Sequence, residues 1–408
     1  MRDSPLVVCL DNNDYSVLSD SSRASPELDA IRYQLLSFAE SGSVVYAFAG
    51  THLMEMAPLQ PAYAEAAAAR ADVLVQLCGA NALVSFDQIL QLEVARAAGL
   101  DVPPTTVLSS DASWFPKFDE SLLPTFPDPY HTDAVKEAIR AQGRTRSERR
   151  KMERKVLRNG QPNAHFKQFH ASRAANFDVS ETLRSYPMRP EDAVVLTRYV
   201  FGKASREEAE AAFLSTLRDP RWMMRWFSEH YDILNPVSQW IRGPSEKYIA
   251  GLQKAITGLQ EIRRIEEATG EKMRIDLLTG SGWKAAQHEL LLKLANGVLA
   301  SSHPTVPVLK DVEAVFAHCP GLCTVVNSTY AAAWNSLTAQ PRTPKASDFA
   351  DALHAFYAPY VSIFRADSYM APHIAKHVKQ YGTRVVSKLR DLPREIDAAM
   401  ADLTPSNL

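Results

Sequence analysis

Apolar and polar residues in the first fifty positions follow strand and helix patterns in turn. The apolar run at 6–10 predicts a short buried strand, which ends at Asp11, the first of four consecutive polar residues. A helix is predicted from Pro26, because Ser25 is a suitable N-cap and apolar residues follow at helical spacing. The run "SVVYAFAG" at 43–50 predicts a second buried strand, and "HLMEMA" after it is predicted to be helical. The chain therefore opens as an α/β protein.

The pattern changes between about 101 and 320, where Pro-rich stretches alternate with long amphipathic segments. Because this region shows neither strand patterns nor internal repeats, we predict that it is a helical insertion. Its clearest helical patterns lie at 190–201, 205–218, 244–267 and 282–298. The second of them begins with a capping box formed by Ser205 and Glu208.

Strand patterns return near the C-terminus. The segments "VSIFR" at 361–365 and "GTRVVSK" at 382–388 predict strands, and a helical pattern precedes each of them. Neither end of the chain has enough strands for a stable sheet of its own, so we expect both to build one mostly parallel sheet. The predicted organisation is an α/β domain whose halves, 1–100 and 321–408, are separated by an all-helical insertion at 101–320.

Composition and charge restrict the class of protein. With 408 residues, of which 46% are hydrophobic and 23% charged, the chain has a globular and not a disordered composition. Its 45 basic and 47 acidic residues give a formal charge of −2, so any nucleic-acid binding must depend on local patches. Four cysteines without disulfide-framework spacing, and the lack of a signal-like or membrane-spanning apolar segment, predict a cytoplasmic protein without a membrane partner.

An acidic residue lies near the exit of each of three predicted strands. Asp11 directly follows the first strand, Glu55 lies in the helix after the second, and Asp367 comes two residues after "VSIFR". Asp351 lies near the start of the helix "SDFADALHAFY". Since the carboxyl ends of parallel strands line the functional crevice of an open α/β sheet, we expect these carboxylates to converge there. The alternative for each one alone is structural, as a turn residue, a helix cap or a first-turn acid.

These segments resemble the motifs of the PIN-domain family of metal-dependent nucleases. The similar elements are "VVCLDNN", "THLMEM", "DALHA" and "VSIFRAD", and the resemblance covers about 1–98 and 340–392. It implies a Rossmann-like parallel sheet and a catalytic cluster that binds one or two Mg²⁺ or Mn²⁺ ions, formed by Asp11, Glu55, Asp351 and Asp367. Asn13 matches the residue that supports the metal site from the side in the family. The chain departs from the family at Arg365 and Ala366, where Thr or Ser is common.

The expected chemistry explains why carboxylates are needed. Mg²⁺ takes oxygen ligands, keeps several waters and is commonly held by one or two carboxylates together with substrate phosphate. Clustered acids without a cation would repel one another and raise their own pKa values. A bound metal activates water, orients the phosphodiester and stabilises the leaving oxygen.

A strongly basic segment lies inside the predicted insertion. The sequence "RTRSERRKMERKVLR" at 144–158 has eight cations and two acids, a local charge of +6. A helix here would present a basic stripe able to meet successive phosphates. The cations assigned to this stripe are Arg146, Arg150, Lys151, Arg154, Lys155 and Arg158. The alternatives are a solvated face or a contact surface for an acidic partner.

These features favour a divalent-metal-dependent ribonuclease in which the helical insertion positions RNA. Such an enzyme could act as a toxin or a defence effector and could have an antitoxin or another protein partner. Two rival hypotheses are a non-catalytic scaffold that binds RNA or protein, and a structure-specific DNA nuclease. Metal-dependent cleavage separates the first rival from an enzyme, and comparing RNA with flapped DNA separates the second.

Overall fold

The chain is a mixed α/β protein. The computed structural model describes residues 5–58, 60–109, 145–158, 161–164, 189–200, 203–217, 219–229, 264–271, 280–338 and 347–402, with scattered residues at 136–140, 166 and 253–262. It divides into two compact units, Met1–Pro116 with Ser228–Leu408 (unit 1) and Lys117–Phe227 (unit 2). The sequence pattern had assigned residues up to 320 to the insertion, whereas the helices from 280 onward lie in unit 1.

Unit 1 is built on a four-stranded parallel sheet. Its strands are β1 (Leu6–Cys9), β2 (Val44–Tyr46), β7 (Ile363–Arg365) and β8 (Arg384–Val386). The spatial order is β2-β1-β7-β8, with Leu6 opposite Val44 and Val8 opposite Ile363. Valine, isoleucine and aromatic residues dominate these strands, as the pleated, half-buried surface of a sheet favours. The two ends of the chain therefore build one parallel sheet, as predicted.

The strand order creates a crevice between β1 and β7. After β1 the chain continues to β2 on one side, and after β7 it continues to β8 on the other side. Two neighbouring strands whose connections leave in opposite directions define a topological switch point, where open α/β sheets bind their ligands. The exits of β1 and β7 flank this point.

Several helices of unit 1 follow the predicted pattern, and others were not predicted. Pro26–Glu40 (α2) begins as predicted, and the Ser25 hydroxyl accepts the Leu28 N–H at 3.2 Å. One helix that was not predicted is α1 (Asn12–Ser19), which begins directly after Asp11, in a segment whose polar run had suggested a turn. The remaining helices of this unit are α3 (Gly50–Met56), α4 (Ala64–Cys78), α5 (Phe86–Ala97), α10 (Gly280–Ser302), α11 (Val312–His318), α12 (Pro320–Thr338), α13 (Ser347–His354), α14 (Ala371–Val378) and α15 (Leu392–Asp402).

Two apolar clusters in the described part of unit 1 contribute to its core. One lies around the sheet and includes Cys9, Phe356, Tyr357 and Phe364. The other lies where α5 packs against α10, α11 and α12. A two-stranded antiparallel pair, β3 (Ala82–Leu83) and β4 (Leu108–Ser109), lies outside the main sheet.

Unit 2 is mainly helical in the part that the structure describes. It contains α6 (Arg146–Val156), α7 (Pro190–Val200), α8 (Arg206–Leu217) and α9 (Pro220–Glu229), the last of which crosses the unit boundary. The capping box predicted at the start of α8 is confirmed, since Ser205 and Glu208 exchange hydrogen bonds of 2.6 and 3.1 Å. The prediction of no strands at 101–320 was wrong at two places. One is β4 in unit 1, and the other is a short antiparallel pair in unit 2, formed by β5 (Leu157–Arg158) and β6 (Gln161–Pro162). Most of the predicted helix at 244–267 lies outside the described residues.

Candidate functional site

Asp11 is the N-cap of α1. Its Oδ1 accepts the Asn13 backbone N–H at 3.0 Å, and its own N–H donates to the Asp14 carboxylate at 3.0 Å, which completes a capping box. Asp11 is largely buried, and its second oxygen accepts no hydrogen bond from a residue that the structure describes. The cap role and a ligand role are therefore compatible, because each uses one oxygen.

Asn13 contributes to this site through its backbone. Its side chain is exposed and, among the described residues, forms no hydrogen bond. The neighbouring side chain of Asn12 is different, because its Oδ1 is buried without a hydrogen-bond partner in the described part of the chain. The role of the Asn13 side chain in supporting a metal site therefore stays a prediction. Beside it, Asn12 has a buried side-chain oxygen without a hydrogen-bond partner among the described residues.

Glu55 lies near the end of α3, on the element that follows β2. Burial raises the pKa of its carboxyl well above the usual value, and the neighbouring charges of Asp351 and Asp11 raise it further. The helix that Asp11 caps and the helix that carries Asp351 both pack against α3, so these two acids belong to elements that neighbour Glu55. Of the acids that the sequence singled out, these two act electrostatically on Glu55.

Asp351 reaches this group from α13, which packs against α3. One turn further along α13, His354 places its Nδ1 4.0 Å from Glu55 Oε2. Burial, and then the neighbouring His52, lowers the pKa of His354 well below the usual value. Its Nε2 is buried and has no hydrogen-bond partner among the described residues. A neutral imidazole therefore borders the carboxylate cluster.

His52 lies beneath His354 and joins α3 to the end of β1. The two rings stack with their centroids 4.3 Å apart. The Ala49 N–H donates to His52 Nδ1 at 2.9 Å, so the proton must be on Nε2, which donates to the Leu10 carbonyl at 2.8 Å. Burial lowers the pKa of His52, in agreement with this neutral form. The ring therefore holds the start of α3 against the residue that precedes Asp11.

Asp367 lies at the exit of the neighbouring strand, β7. Its Oδ1 accepts the Met370 N–H at 2.6 Å, in the turn that leads into α14, and its other oxygen accepts no hydrogen bond from a described residue. Val8 lies opposite Ile363 and Cys9 opposite Phe364, so extending this register would place Asp11 beside Ala366. Asp367 is next to that position in the chain. Within the described residues, Asp367 shows no interaction with the other three acids.

The acids do not form a closed coordination shell. Within the described residues, no three His, Cys, Asp or Glu side chains are grouped closely enough to hold a metal ion. The chemistry of the donors nevertheless fits a hard cation, because carboxylate oxygens are the ligands that Mg²⁺ and Mn²⁺ take. The candidate site thus consists of Glu55, the two acids that act on it electrostatically, Asp11 and Asp351, and Asp367 at the adjacent strand exit.

Sequence reasoning missed a buried ion pair behind these acids. Arg365 Nη2 lies 2.6 Å from Asp14 Oδ1, and the two side chains are 4% and 1% exposed. Burial raises the pKa of Asp14 to about 6, although Arg365 opposes this shift. The spacing of Asp11 and Asp14 is that of a capping box and could have indicated Asp14. Nothing local could have indicated Arg365, which is 351 residues away.

The basic segment of unit 2 forms a helix, as predicted. Thr145 and Glu148 make a capping box at the start of α6, with hydrogen bonds of 3.0 and 3.4 Å. The helix ends at Val156, so the prediction of Arg158 on the helical stripe was wrong, and that residue lies in β5 because the chain turns back there. The six assigned cations are exposed, and none forms an ion pair with a described residue. A dense positive surface therefore remains without neutralisation in the described part of unit 2.

Comparisons with known proteins do not identify a family. No family model, no curated protein and no solved structure matches the chain. Among the described residues, no helix combines the length and the apolar character needed to cross a membrane. The function therefore has to be inferred from the side chains of the site itself.

Proposed function

We propose that the protein is a divalent-metal-dependent endoribonuclease with a PIN-like, Rossmann-type fold in unit 1. The observation that carries the proposal is the packing of α1, which Asp11 caps, and of α13, which carries Asp351, against the helix of Glu55 at the exits of the parallel strands. In agreement with this packing, burial raises the pKa of Glu55, and Asp351 and Asp11 raise it further. Three like charges at the carboxyl edge of a parallel sheet are costly unless a proton or a cation compensates for them. A divalent cation would provide this compensation and would bring phosphate with it.

Asp11, Glu55, Asp351 and Asp367 are the residues that would hold Mg²⁺ or Mn²⁺. Asp11 and Asp367 each use one oxygen as a helix-capping acceptor, which leaves the other for a ligand. The bound metal would supply an activated water and would stabilise the leaving oxygen of the phosphodiester. The buried imidazole of His354, which stacks on His52, borders Glu55 from within the protein.

Cleavage assays on a panel of substrates test this proposal. We expect the purified chain to cut single-stranded RNA or tRNA in Mn²⁺ or Mg²⁺, and to lose this activity in EDTA and in Glu55→Gln. Binding of RNA without cleavage under any of these metal conditions would favour the non-catalytic scaffold. Cleavage of flapped DNA in preference to both RNAs would favour the DNA nuclease.

The basic helix α6 supports an RNA substrate. Arg146, Arg150 and Arg154 recur every four residues, which places them about 6 Å apart along the helix axis. Lys151 and Lys155 lie beside them, and Glu148 is engaged in the cap with Thr145. Because single-stranded RNA is a flexible polyanion, such a row of cations can follow its backbone without reading its sequence.

Reversing three of these charges should weaken RNA binding. For Arg146→Glu, Arg150→Glu and Arg154→Glu combined, we expect a weaker Kd for RNA. A plot of log K against log salt concentration should also be flatter by about 2, since each phosphate contact to a single strand contributes about 0.7 to its slope. Fluorescence anisotropy at low and at high salt measures both quantities. The control is a triple variant of lysines in unit 1, Lys284→Glu, Lys293→Glu and Lys310→Glu, which changes the net charge equally. Equal losses in both variants would assign the effect to net charge and exclude a specific role for α6.

A further inference from the structure

The buried ion pair of Asp14 and Arg365 connects the exits of the two central strands. Asp14 lies in α1, which follows β1, whereas Arg365 is the last residue of β7. Their 2.6 Å contact therefore crosses the switch-point crevice between these strands. An arginine keeps its charge in every folded protein, so the carboxylate of Asp14 is the group that balances it inside the fold.

Each partner also holds backbone next to one of the candidate metal ligands. Asp14 Oδ2 accepts the Asp11 N–H at 3.0 Å. On the other side of the crevice, Arg365 Nη1 donates to the carbonyls of Ala366 and Val386, both at 2.7 Å. The N–H of Ala366 donates to the Val386 carbonyl at 3.2 Å, so both backbone groups of the residue before Asp367 are held. One ion pair thus restrains the chain beside two acids.

The carboxylates of these two acids depend on that backbone for their direction. Asp11 and Asp367 each have one oxygen fixed by a nearby N–H, from Asn13 and Met370. With one oxygen fixed in this way, the direction of the second oxygen follows from the local backbone conformation. A displacement of the chain at 11 or 366 would therefore move the oxygens that are available to a ligand.

We propose that Asp14 and Arg365 are positioning residues, which fix the separation and direction of the Asp11 and Asp367 carboxylates across the crevice between β1 and β7. This inference rests on the proposed function, since it concerns the metal site of the same nuclease. Arginine is required because its planar fork reaches a carboxylate and two carbonyls at once. A lysine keeps the charge opposite Asp14 but does not reproduce that fork.

The test compares Arg365→Lys with a control of similar structural character. The control is Glu93→Gln, which alters another buried, multiply hydrogen-bonded group of unit 1. Two measurements are made on each full-length variant. The first is the Kd for Mn²⁺ by calorimetry, and the second is backbone hydrogen exchange, without metal, in peptides that cover 10–19 and 366–374. A second variant, Asp14→Leu with Arg365→Met, replaces the whole pair by apolar groups, an exchange that folded proteins often tolerate.

We expect Arg365→Lys to weaken Mn²⁺ binding about tenfold or more, the usual effect of removing a residue that orients metal ligands. Exchange should accelerate in both peptides, because the amides of Asn13 and Met370 lose well-placed acceptors, whereas Glu93→Gln should leave both peptides close to wild type. If the wild type binds no Mn²⁺, the proposed function fails, and the exchange data alone decide the positioning role. The inference is overturned if backbone hydrogen exchange in the two peptides is unchanged in Arg365→Lys. It is also overturned if Glu93→Gln accelerates that exchange as much as Arg365→Lys does.

Discussion

Asp11→Asn should abolish metal-dependent RNA cleavage without lowering stability. The amide keeps an oxygen that can accept the Asn13 N–H, and Asn is as good an N-cap as Asp, so α1 keeps its cap. The change also removes a negative charge that raises the pKa of Glu55. At the same time it removes an anionic ligand oxygen. If metal catalysis contributes about 4 kcal/mol, its loss lowers the cleavage rate about a thousandfold.

Both quantities can be measured on one preparation. Thermal melting in EDTA reports the stability without metal, and cleavage in Mn²⁺ reports the activity. We expect a Tm that is equal to or above that of the wild type, with cleavage reduced to background. A clearly lower Tm would identify Asp11 as a structural cap alone, and wild-type cleavage would exclude the opening motif from the chemistry. In cells, sequencing of RNA ends after induction of each form would show whether the cleavage occurs there.

Glu93→Ala should destabilise unit 1 by several kcal/mol. Glu93 is completely buried on α5, and its carboxylate accepts the N–H groups of Gly321 at 2.6 Å and Leu322 at 3.3 Å, together with the Tyr360 hydroxyl. Truncation leaves two buried N–H groups and the half-buried Tyr360 hydroxyl without this acceptor, at a cost of about 1–3 kcal/mol for each group that stays unpaired. Allowing for partial relaxation, we expect a loss of about 3–5 kcal/mol in the free energy of unfolding.

Urea denaturation measures this loss. The control is Glu289→Ala, which truncates an exposed glutamate on α10 and should change the stability by less than about 0.5 kcal/mol. Gly321 belongs to the same arrangement, since a Cβ there would lie 2.7 Å from the Phe356 ring and 2.9 Å from Glu93 Oε1. If the two glutamate variants lower the free energy of unfolding equally, the N–H groups in the first turn of α12 must find other acceptors in Glu93→Ala.

The same residue predicts a pH dependence of stability. Burial raises the pKa of Glu93 to about 7, although the hydrogen bonds from its three donors act to lower that pKa. Between the unfolded value of 4.5 and about 7, the folded chain then holds a proton that the unfolded chain has lost. The free energy of unfolding therefore falls as pH rises through this window, by about 1.4 kcal/mol per unit for one group. Glu93→Gln cannot titrate, so its stability deficit should shrink as pH rises through this window, and a constant deficit would contradict the raised pKa.

Local sequence patterns determined most of the secondary structure. The apolar runs identified β1, β2, β7 and β8, and the caps at Ser25 and Ser205 located two helix starts, because these signals act within a few residues. The basic helix was predicted for the same reason. The error at α1 was also local, since a capping box and a polar turn use the same residue types.

Only part of the candidate site could be predicted from the sequence. The motifs indicated four acids, and the structure places Asp11 and Asp351 on elements that pack against the helix of Glu55, because the strand order aligns the carboxyl ends of β1 and β2. The groups that surround those acids came from the tertiary structure alone. Arg365 meets Asp14, His354 stacks on His52, and Glu93 caps α12, each across a long separation in the chain. Only burial forces such polar groups to find partners, and burial is decided when the sheet and the helices pack.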